Sequence, residues 1–318
     1  MSNNGEVEQS QSQNQNQRWL PKRIILVRHG ESMGNKDEGI YGVLPDHSIP
    51  LSPQGIQQAK QAGILIRELL DHDSKWKWKV YIYVSPYERT RSTLREIGRA
   101  FPKSKVIGAR EECRVREQDF GNFQDSKKMK QLKEIRNKFG RFFYRFPEGE
   151  SGADVYDRVS SKFLVLNEEV STGEGEEVNL VIVSHGLAIR IFLMRWFRWT
   201  VEQFEVLKNP KNCEFRVMQL GGRGEYSLAI HHDDEKLKAW GLSAEMIADQ
   251  KLRAWGPPPQ KRCEQKEKEE EEEEEEKCLW FDAFFYPPLP QQEETTTTTT
   301  TTTTGEHQHQ HQHQNQPS

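Results

Sequence analysis

Four basic side chains in this sequence each follow a short apolar segment, and together they could bind and attack a phosphate group. Arg28 and His29 follow the first segment, Arg89 lies shortly beyond the second, and His185 comes directly after the third. Guanidinium groups are permanently charged and donate paired hydrogen bonds that suit phosphate oxygens. A histidine whose one ring nitrogen is held by a backbone carbonyl can attack phosphorus through the other. These residue types predict a pocket for a phosphate dianion.

A carboxyl side chain on a later loop could supply the proton that a departing alcohol oxygen needs. Glu117 lies between basic and apolar neighbours in a glycine-containing loop that covers residues 114–121. A positioned carboxyl group of this kind acts as a general acid toward a leaving group. Glu117 is therefore the candidate proton donor, and Asp119 is the alternative within the same loop.

The elements that must position these side chains are short buried strands that alternate with helices. In open α/β sheets ligands bind beyond the carboxyl ends of the strands, so groups far apart in sequence can share one pocket. The alternation predicts a three-layer α/β/α sandwich around a largely parallel, mixed central sheet. Strands are predicted at 23–27, 80–84, 106–107 and 178–184, with a hairpin at 215–220 and 226–231. Helices are predicted at 52–70, 89–101, 127–145, 155–170, 186–197 and 235–255.

Composition divides the 318 residues into three parts. Residues 1–18 are rich in Gln, Asn and Ser, and residues 256–318 hold a Glu run, a Thr run and a His-Gln repeat. Such segments bury too little apolar surface to fold, which predicts disordered termini. The hydrophobic content of 34% therefore averages one ordinary domain, residues 19–255, with two polar ends.

Charge separates along the same boundaries. The formal net charge of −4 combines about −10 in the two ends with about +6 in the predicted domain. A mildly basic domain suits an anionic substrate, but this surplus is too small to indicate nucleic-acid binding. We therefore expect a small phosphorylated substrate, and a nucleic-acid partner is not favoured.

Several targeting and structural classes are not favoured by the sequence. No apolar stretch approaches the ~18 residues of a membrane span, and the N terminus has neither a signal-peptide nor a transit-peptide pattern. The four cysteines are scattered without a Cys-x-x-Cys pair, which favours reduced thiols over disulfides or a zinc knuckle. These features predict a cytoplasmic protein, with the nucleus as the alternative.

The motifs around the candidate residues resemble those of the histidine phosphatase superfamily, also called the phosphoglycerate-mutase-like family. The resemblance covers about residues 23–220, and its three motifs come in the family's order, each at the end of a predicted strand. A loop within residues 45–59 matches as well. The motifs are Arg28-His29-Gly30-Glu31-Ser32 with Asn35, Ser85-Pro86-Tyr87-Glu88-Arg89-Thr90, and Ser184-His185-Gly186 followed by Arg190.

This resemblance implies a role for each candidate residue. His29 is implied to be the nucleophile that becomes phosphohistidine, and Glu117 the proton donor to the leaving group. No metal or other cofactor is implied, because arginines supply the positive charge that Mg²⁺ supplies elsewhere. The residues implied to hold the phosphoryl oxygens are Arg28, Asn35, Arg89 and His185.

The acid loop departs from the commonest family pattern. Where the family often has Glu-Gly, this chain has Gly-Asn-Phe-Gln-Asp at residues 121–125. That form is similar to the plant and fungal mutase-like proteins related to broad-range acid phosphatases. We therefore expect a phosphomonoesterase that hydrolyses small phosphate esters. A mutase primed by 2,3-bisphosphoglycerate is the alternative, and a non-catalytic interaction protein is the third hypothesis.

Three further segments allow several interpretations. The basic stretch from Lys127 to Arg145 is an amphipathic surface helix, a lid over the substrate, or a contact for nucleic acid or an acidic partner. In the tail, residues 279–290 combine aromatic side chains with prolines and could bind a protein partner. The His-Gln repeat is interpreted as low-complexity sequence, with metal binding as the alternative.

Overall fold

The computed structural model describes residues 20–73, 77–121, 125–160 and 175–257. The predicted disordered segments, 1–18 and nearly all of 256–318, lie outside these residues, as do the aromatic and proline segment 279–290 and the His-Gln repeat. Within the described residues, no helix is long and apolar enough to cross a membrane.

A six-stranded mixed sheet forms the centre of the fold, in the order β3-β2-β4-β1-β5-β6. The pairs β1–β4, β2–β4 and β2–β3 are parallel, whereas β1–β5 and β5–β6 are antiparallel. This arrangement confirms the prediction of a largely parallel, mixed sheet. The strands are β1 (Arg23–Arg28), β2 (Trp78–Val84), β3 (Val106–Glu111), β4 (Glu177–Ser184), β5 (Phe215–Leu220) and β6 (Tyr226–Ser227).

Helices cover both faces of the sheet, which gives the predicted three layers. Alternate residues of β1 belong to different cores: Ile24 and Leu26 pack with α5 and α6, whereas Ile25 and Val27 pack with α2 and α3. The near-continuous apolar strands follow from burial on both faces. The helices are α1 (Met33–Lys36), α2 (Pro53–Asp73), α3 (Glu88–Gly98), α4 (Ser126–Phe139), α5 (Gly152–Ser160), α6 (Gly186–Phe197), α7 (Val201–Val206), α8 (Asp234–Ala239) and α9 (Ala244–Trp255).

The predicted single helix over residues 235–255 is wrong, because the chain breaks into α8 and α9. Gly241 has a φ of +94°, and a Cβ at this position would lie 2.2 Å from the carbonyl oxygen of Val206. Ser243 then starts a new helix, since its side chain accepts a hydrogen bond from the amide of Met246. A left-handed glycine and a new N-cap therefore end one helix and begin the next.

The predicted second hairpin strand, 226–231, is also too long. Ser227 donates from its hydroxyl to the carbonyl of Gln250, and the amide of Leu228 donates to the Gln250 side chain. Beyond Ser227 the chain therefore bonds to α9 and leaves β5, so that β6 contains two residues. Helix α4 likewise ends at Phe139 rather than at residue 145, because Gly140 follows with a φ of +89°.

Candidate functional site

The carboxyl ends of β2, β4 and β1 lie side by side and bring the three sequence motifs together. Arg28 is paired with Ser184, and Val84 with Val183, so the residues that follow each strand emerge at one edge of the sheet. A cavity of about 290 Å³ opens there. Five of the six predicted site residues line it, namely Arg28, His29, Asn35, Arg89 and Glu117.

His29 is buried, with 4% of its surface exposed, and its ring orientation is fixed by the backbone. Its Nδ1 lies 2.7 Å from the carbonyl oxygen of Gly30. Because a carbonyl only accepts hydrogen bonds, Nδ1 carries the proton and Nε2 carries the lone pair. Burial, together with Arg89 and Arg28, lowers the pKa of His29 well below 6.5. The ring is therefore a neutral imidazole with a nucleophilic Nε2.

Gly30, which supplies that carbonyl, allows an unusually close backbone contact. A Cβ on Gly30 would lie 2.5 Å from the carbonyl oxygen of Gly55 at the start of α2. The amide of Gly30 also donates to the hydroxyl of Thr93 on α3, at 3.0 Å. The segment that orients His29 is thus held between α2 and α3, and a larger residue at position 30 does not fit.

His185, the sixth predicted residue, lies beside His29, and their ring centroids are 5.1 Å apart. It is fully buried, and its Nε2 lies 2.7 Å from the hydroxyl of Ser85. Its Nδ1 is buried without a hydrogen-bond partner among the described residues. Burial is the largest cause that lowers the pKa of His185 well below 6.5, with Arg89 next. A buried ring nitrogen without a partner is a favourable position for an atom of a ligand.

Arg89 is buried at the start of α3, and Asp46 holds one side of its guanidinium group. Its Nη1 donates to the backbone carbonyl of Asp46 at 2.7 Å and to the carboxylate of the same residue at 2.8 Å. The guanidinium carbon also lies 4.7 Å from the ring centroid of Tyr87, a cation–π distance. These contacts fix the guanidinium through one nitrogen, and its other donors can bind an anion.

Three guanidinium groups hold the segment of residues 207–210, which borders the cavity. Arg190 and Arg216 are buried, with 2% and 0% of their surfaces exposed, and burial lowers the pKa values of their side chains to about 9 and about 10. This clamp positions the Asn209 side chain, which lines the cavity. The contacts are Arg28 Nη1 to the carbonyl of Pro210 at 2.7 Å, Arg190 Nη1 to Leu207 at 3.0 Å and Arg216 Nη2 to Lys208 at 2.9 Å.

Asn35 is held in a short helical turn after the first motif. Its backbone amide donates to the Ser32 hydroxyl, and its side-chain oxygen accepts from the Ser32 amide, which forms a capping box. The same oxygen accepts a hydrogen bond from the Asn212 side chain at 3.1 Å. Asn212 also donates to the carbonyl of His29 at 3.2 Å, so it links the two predicted residues.

Glu117 borders the cavity on a loop that a partly buried ion pair holds in place. Arg158 donates to the carbonyl of Glu117 at 3.0 Å, and its guanidinium binds both carboxylate oxygens of Glu150 at 3.0 Å. Glu150 also accepts from the amide of Asp119 at 3.0 Å. Burial raises the pKa of Glu117 above 4.5, against the opposing effects of the Gln118 amide and the nearby arginines. A raised pKa favours the protonated form that a general acid requires.

Comparisons with known proteins agree on one family. The model of the histidine phosphatase superfamily (branch 1) matches residues 24–233. The phosphoglycerate mutase-like protein AT74 of Arabidopsis thaliana is 60% identical over 241 residues, which cover 74% of this chain and 76% of that protein. The broad-range acid phosphatase DET1 of Saccharomyces cerevisiae is 31% identical over 289 residues, which cover 63% of this chain and 86% of that protein.

The chain belongs to the histidine phosphatase superfamily. This membership confirms the family resemblance, including its similarity to the plant and fungal mutase-like proteins. Among solved structures, a mycobacterial glucosyl-3-phosphoglycerate phosphatase is 19% identical with a TM-score of 0.49, and the match covers 65% of this chain and 93% of that one. The catalytic role of each site residue in this superfamily member stays a prediction.

Sequence reasoning missed several residues of this histidine phosphatase site. Asp46, Lys133 and Asn209 line the cavity, and the Arg158–Glu150 ion pair holds the acid loop. Only Asp46 lies in a segment that the family motifs cover. Arg158 and Glu150 are 8 positions apart, but the Glu117 carbonyl that Arg158 holds is 41 positions away from it. For the basic stretch, α4 places Lys133 in the cavity wall and buries Met129, which favours the amphipathic and lid interpretations.

Proposed function

We propose that this protein is a phosphomonoesterase that hydrolyses small phosphate esters through a phosphohistidine at His29. One observation carries the proposal: the Nδ1 of His29 is tied to Gly30, which leaves the Nε2 lone pair in a ring that lines the cavity with Arg28 and Arg89, and the ring of His185 lies 5.1 Å away. A nucleophile and donors for a phosphate thus meet in one cavity.

The reaction proceeds in two balanced steps. Nε2 of His29 attacks phosphorus and forms the N–P bond, while the bond from phosphorus to the ester oxygen breaks. Glu117 gives its proton to that oxygen, and the alcohol leaves. Water then attacks the phosphohistidine, Glu117 takes the proton back from the water, and the N–P bond breaks to release phosphate. Each residue returns to its starting state.

Positive charge for the transition state comes from the protein in this proposal. Arg28 and Arg89 face the cavity, and in its Nδ1-protonated form His185 donates a further hydrogen bond. Preorganised donors of this kind stabilise the charge of a transferring phosphoryl group. We therefore expect activity without a metal or other cofactor, and chelation by EDTA leaves the rate unchanged.

The similarity to the yeast protein named a broad-range acid phosphatase supports hydrolysis, and the mutase remains the alternative. A mutase needs priming by 2,3-bisphosphoglycerate and interconverts monophosphoglycerates. The decisive experiment measures phosphate release from a panel of phosphomonoesters across pH, with and without EDTA. Steady release without the bisphosphate supports the proposal. Bisphosphate-dependent exchange without release identifies a mutase, and no turnover of any ester supports a non-catalytic interaction protein.

The cellular setting and partners are part of the same proposal. The scattered cysteines favour a reducing compartment, and we place the protein in the cytoplasm, with the nucleus as the alternative. Residues 279–290, which lie outside the described residues, are proposed as a protein-binding segment. Deletion of residues 258–318 tests whether catalysis is independent of the tail. The phosphatase proposal expects the shortened enzyme to keep its activity.

A further inference from the structure

The cavity lining contains more side chains than a phosphate group needs, and the additional ones are available to contact the leaving group of an ester. Arg28 and Arg89 balance the two negative charges of a phosphate dianion. Apart from Glu117, the proposed proton donor, three other charged side chains of the described residues line the cavity: Glu38, Asp46 and Lys133. These three residues bring two carboxylates and one ammonium group, so their summed charge is negative.

The single ammonium group is already neutralised. Lys133 on α4 lies 3.0 Å from the carboxylate of Glu38, across the cavity rim. The side chains are 31% and 70% exposed, so the pair is open to solvent and adds little stability. Glu38 nevertheless neutralises the ammonium group of Lys133, which could otherwise bind a second anionic group of a substrate.

Asp46 carries the negative charge that remains once Arg28 and Arg89 balance the phosphate dianion and Lys133 balances Glu38. Its carboxylate is 21% exposed and lies 2.8 Å from Arg89 Nη1 at the cavity wall. A carboxylate or second phosphate on the leaving group would approach Asp46 and Glu38 in a partly desolvated space, where repulsion between like charges is stronger than in water. An anionic leaving group is thus disfavoured.

The other polar groups of the wall suit hydroxyl groups. Tyr41 and Asn209 line the cavity together with the two carboxylates, and carboxylate oxygens accept hydrogen bonds from alcohols. Phe120 supplies an apolar surface for the carbon skeleton. Hydroxyl groups on an uncharged skeleton can therefore form hydrogen bonds with these side chains without electrostatic repulsion.

We propose that the preferred substrates are monophosphates of uncharged, hydroxyl-bearing molecules, such as sugars or polyols, and that Glu38 and Asp46 exclude anionic leaving groups. The inference rests on the proposed phosphatase function and names its substrate class. It also predicts that a phosphoglycerate, whose leaving group carries a carboxylate, is a poor substrate despite the mutase-like relatives.

The test compares two esters with the same three-carbon skeleton, glycerol 3-phosphate and 3-phosphoglycerate, at low ionic strength. They differ at the far carbon, which is a hydroxymethyl group in glycerol 3-phosphate and the carboxylate in 3-phosphoglycerate. We expect kcat/KM to favour glycerol 3-phosphate by about tenfold or more. Inhibition constants of both esters against nitrophenyl phosphate hydrolysis give the same comparison for binding, even if either ester turns over slowly.

Charge-neutral variants then assign the preference to the named residues. Glu38→Gln and Asp46→Asn should each lower the ratio by about threefold to tenfold, and Lys133→Gln should raise it. If Asp46→Asn only displaces Arg89, kcat/KM falls for both esters and the ratio between them does not change. Glu134→Gln, an exposed neighbour of Lys133 on α4 outside the cavity lining, is the matched control and should leave the ratio unchanged.

The outcomes separate this inference from the function on which it rests. A preference for 3-phosphoglycerate, or equal values for both esters, overturns the inference while hydrolysis of nitrophenyl phosphate upholds the phosphatase. A ratio that none of the three variants changes also overturns it. Absence of phosphate release from all three esters overturns the proposed function and the inference together.

Discussion

The rings of His29 and His185 lie 5.1 Å apart at the carboxyl ends of neighbouring parallel strands. Burial lowers the pKa of both rings well below 6.5, so two neutral imidazoles lie side by side. They differ in their hydrogen bonds: His29 is fixed through Nδ1, whereas His185 is fixed through Nε2 by Ser85. The difference assigns attack to His29 Nε2 and phosphate binding to His185 Nδ1 in the proposed mechanism.

The unpartnered nitrogen of His185 leads to the first prediction. We expect His185→Ala to lower kcat/KM by about 10²–10³, because one preorganised donor to the phosphoryl group is lost. Binding of inorganic phosphate, measured by calorimetry, should weaken as well. Ser85→Ala, which removes only the group that orients the ring, should have a smaller effect on both quantities. Unchanged phosphate affinity in His185→Ala would contradict the assignment.

The shifted pKa values predict an acidic working range. Turnover needs neutral His29 and protonated Glu117. Since burial lowers the pKa of His29, the nucleophile stays neutral as pH falls below 6.5, and activity is lost only when pH passes through the lowered value. Since burial raises the pKa of Glu117, its proton is kept above pH 4.5, and activity falls as pH rises through the raised value.

The measurement for this prediction is kcat/KM against pH for an alkyl phosphate, corrected for ionisation of the substrate itself. We expect the alkaline limb to disappear in Glu117→Gln, together with most of the activity. A rate that rises with pH through 6.5, as an unshifted histidine would give, would be incompatible with a buried neutral nucleophile.

Leaving-group chemistry tests the role of Glu117 in a different way. We expect Glu117→Gln to slow hydrolysis of alkyl phosphates by about 10²–10⁴, because an alkoxide needs the proton. Nitrophenolate leaves without one, so hydrolysis of nitrophenyl phosphate should fall much less. Asp119→Asn is the matched control within the same loop and should affect both substrates little. Equal losses on both substrates in Glu117→Gln would exclude the proton-donor role.

The ion pair between Arg158 and Glu150 predicts that a residue outside the cavity lining affects the same step. Arg158→Gln releases the carbonyls of the acid loop, so we expect it to share the selective loss on alkyl phosphates in milder form. Arg158→Lys should retain part of the activity that Arg158→Gln loses on alkyl phosphates, because lysine keeps the positive charge but cannot make the bidentate contact. Arg99→Gln, at an exposed arginine directly after α3, is the control. A uniform loss on all esters would indicate a structural effect alone.

How far the sequence predicts this molecule depends on the range of the contacts. The converging strand ends were predictable, because each apolar segment fits a buried parallel strand and its next residues must emerge at one edge. The clamp on residues 207–210 was not, since Arg28 and Pro210 are 182 positions apart. Local patterns say nothing about which carbonyl a guanidinium meets across the fold.

The helix boundaries show the same limit. An amphipathic pattern continues through residues 235–255, but Gly241 and the Ser243 cap divide it, because Gly241 packs against the backbone of Val206. That contact belongs to the tertiary structure. In the same way, the raised pKa of Glu117 comes from burial by neighbouring elements, which the loop sequence alone does not reveal.

The central claim is that phosphate passes through His29. The most direct test is a rapid acid-free quench of the enzyme during turnover of a ³²P-labelled ester, followed by peptide mapping. We predict an acid-labile label on His29, absent in His29→Ala and present in His72→Ala, a variant of an exposed histidine on α2. A label on another residue, or more than about 1% of activity retained by folded His29→Ala, would contradict the claim.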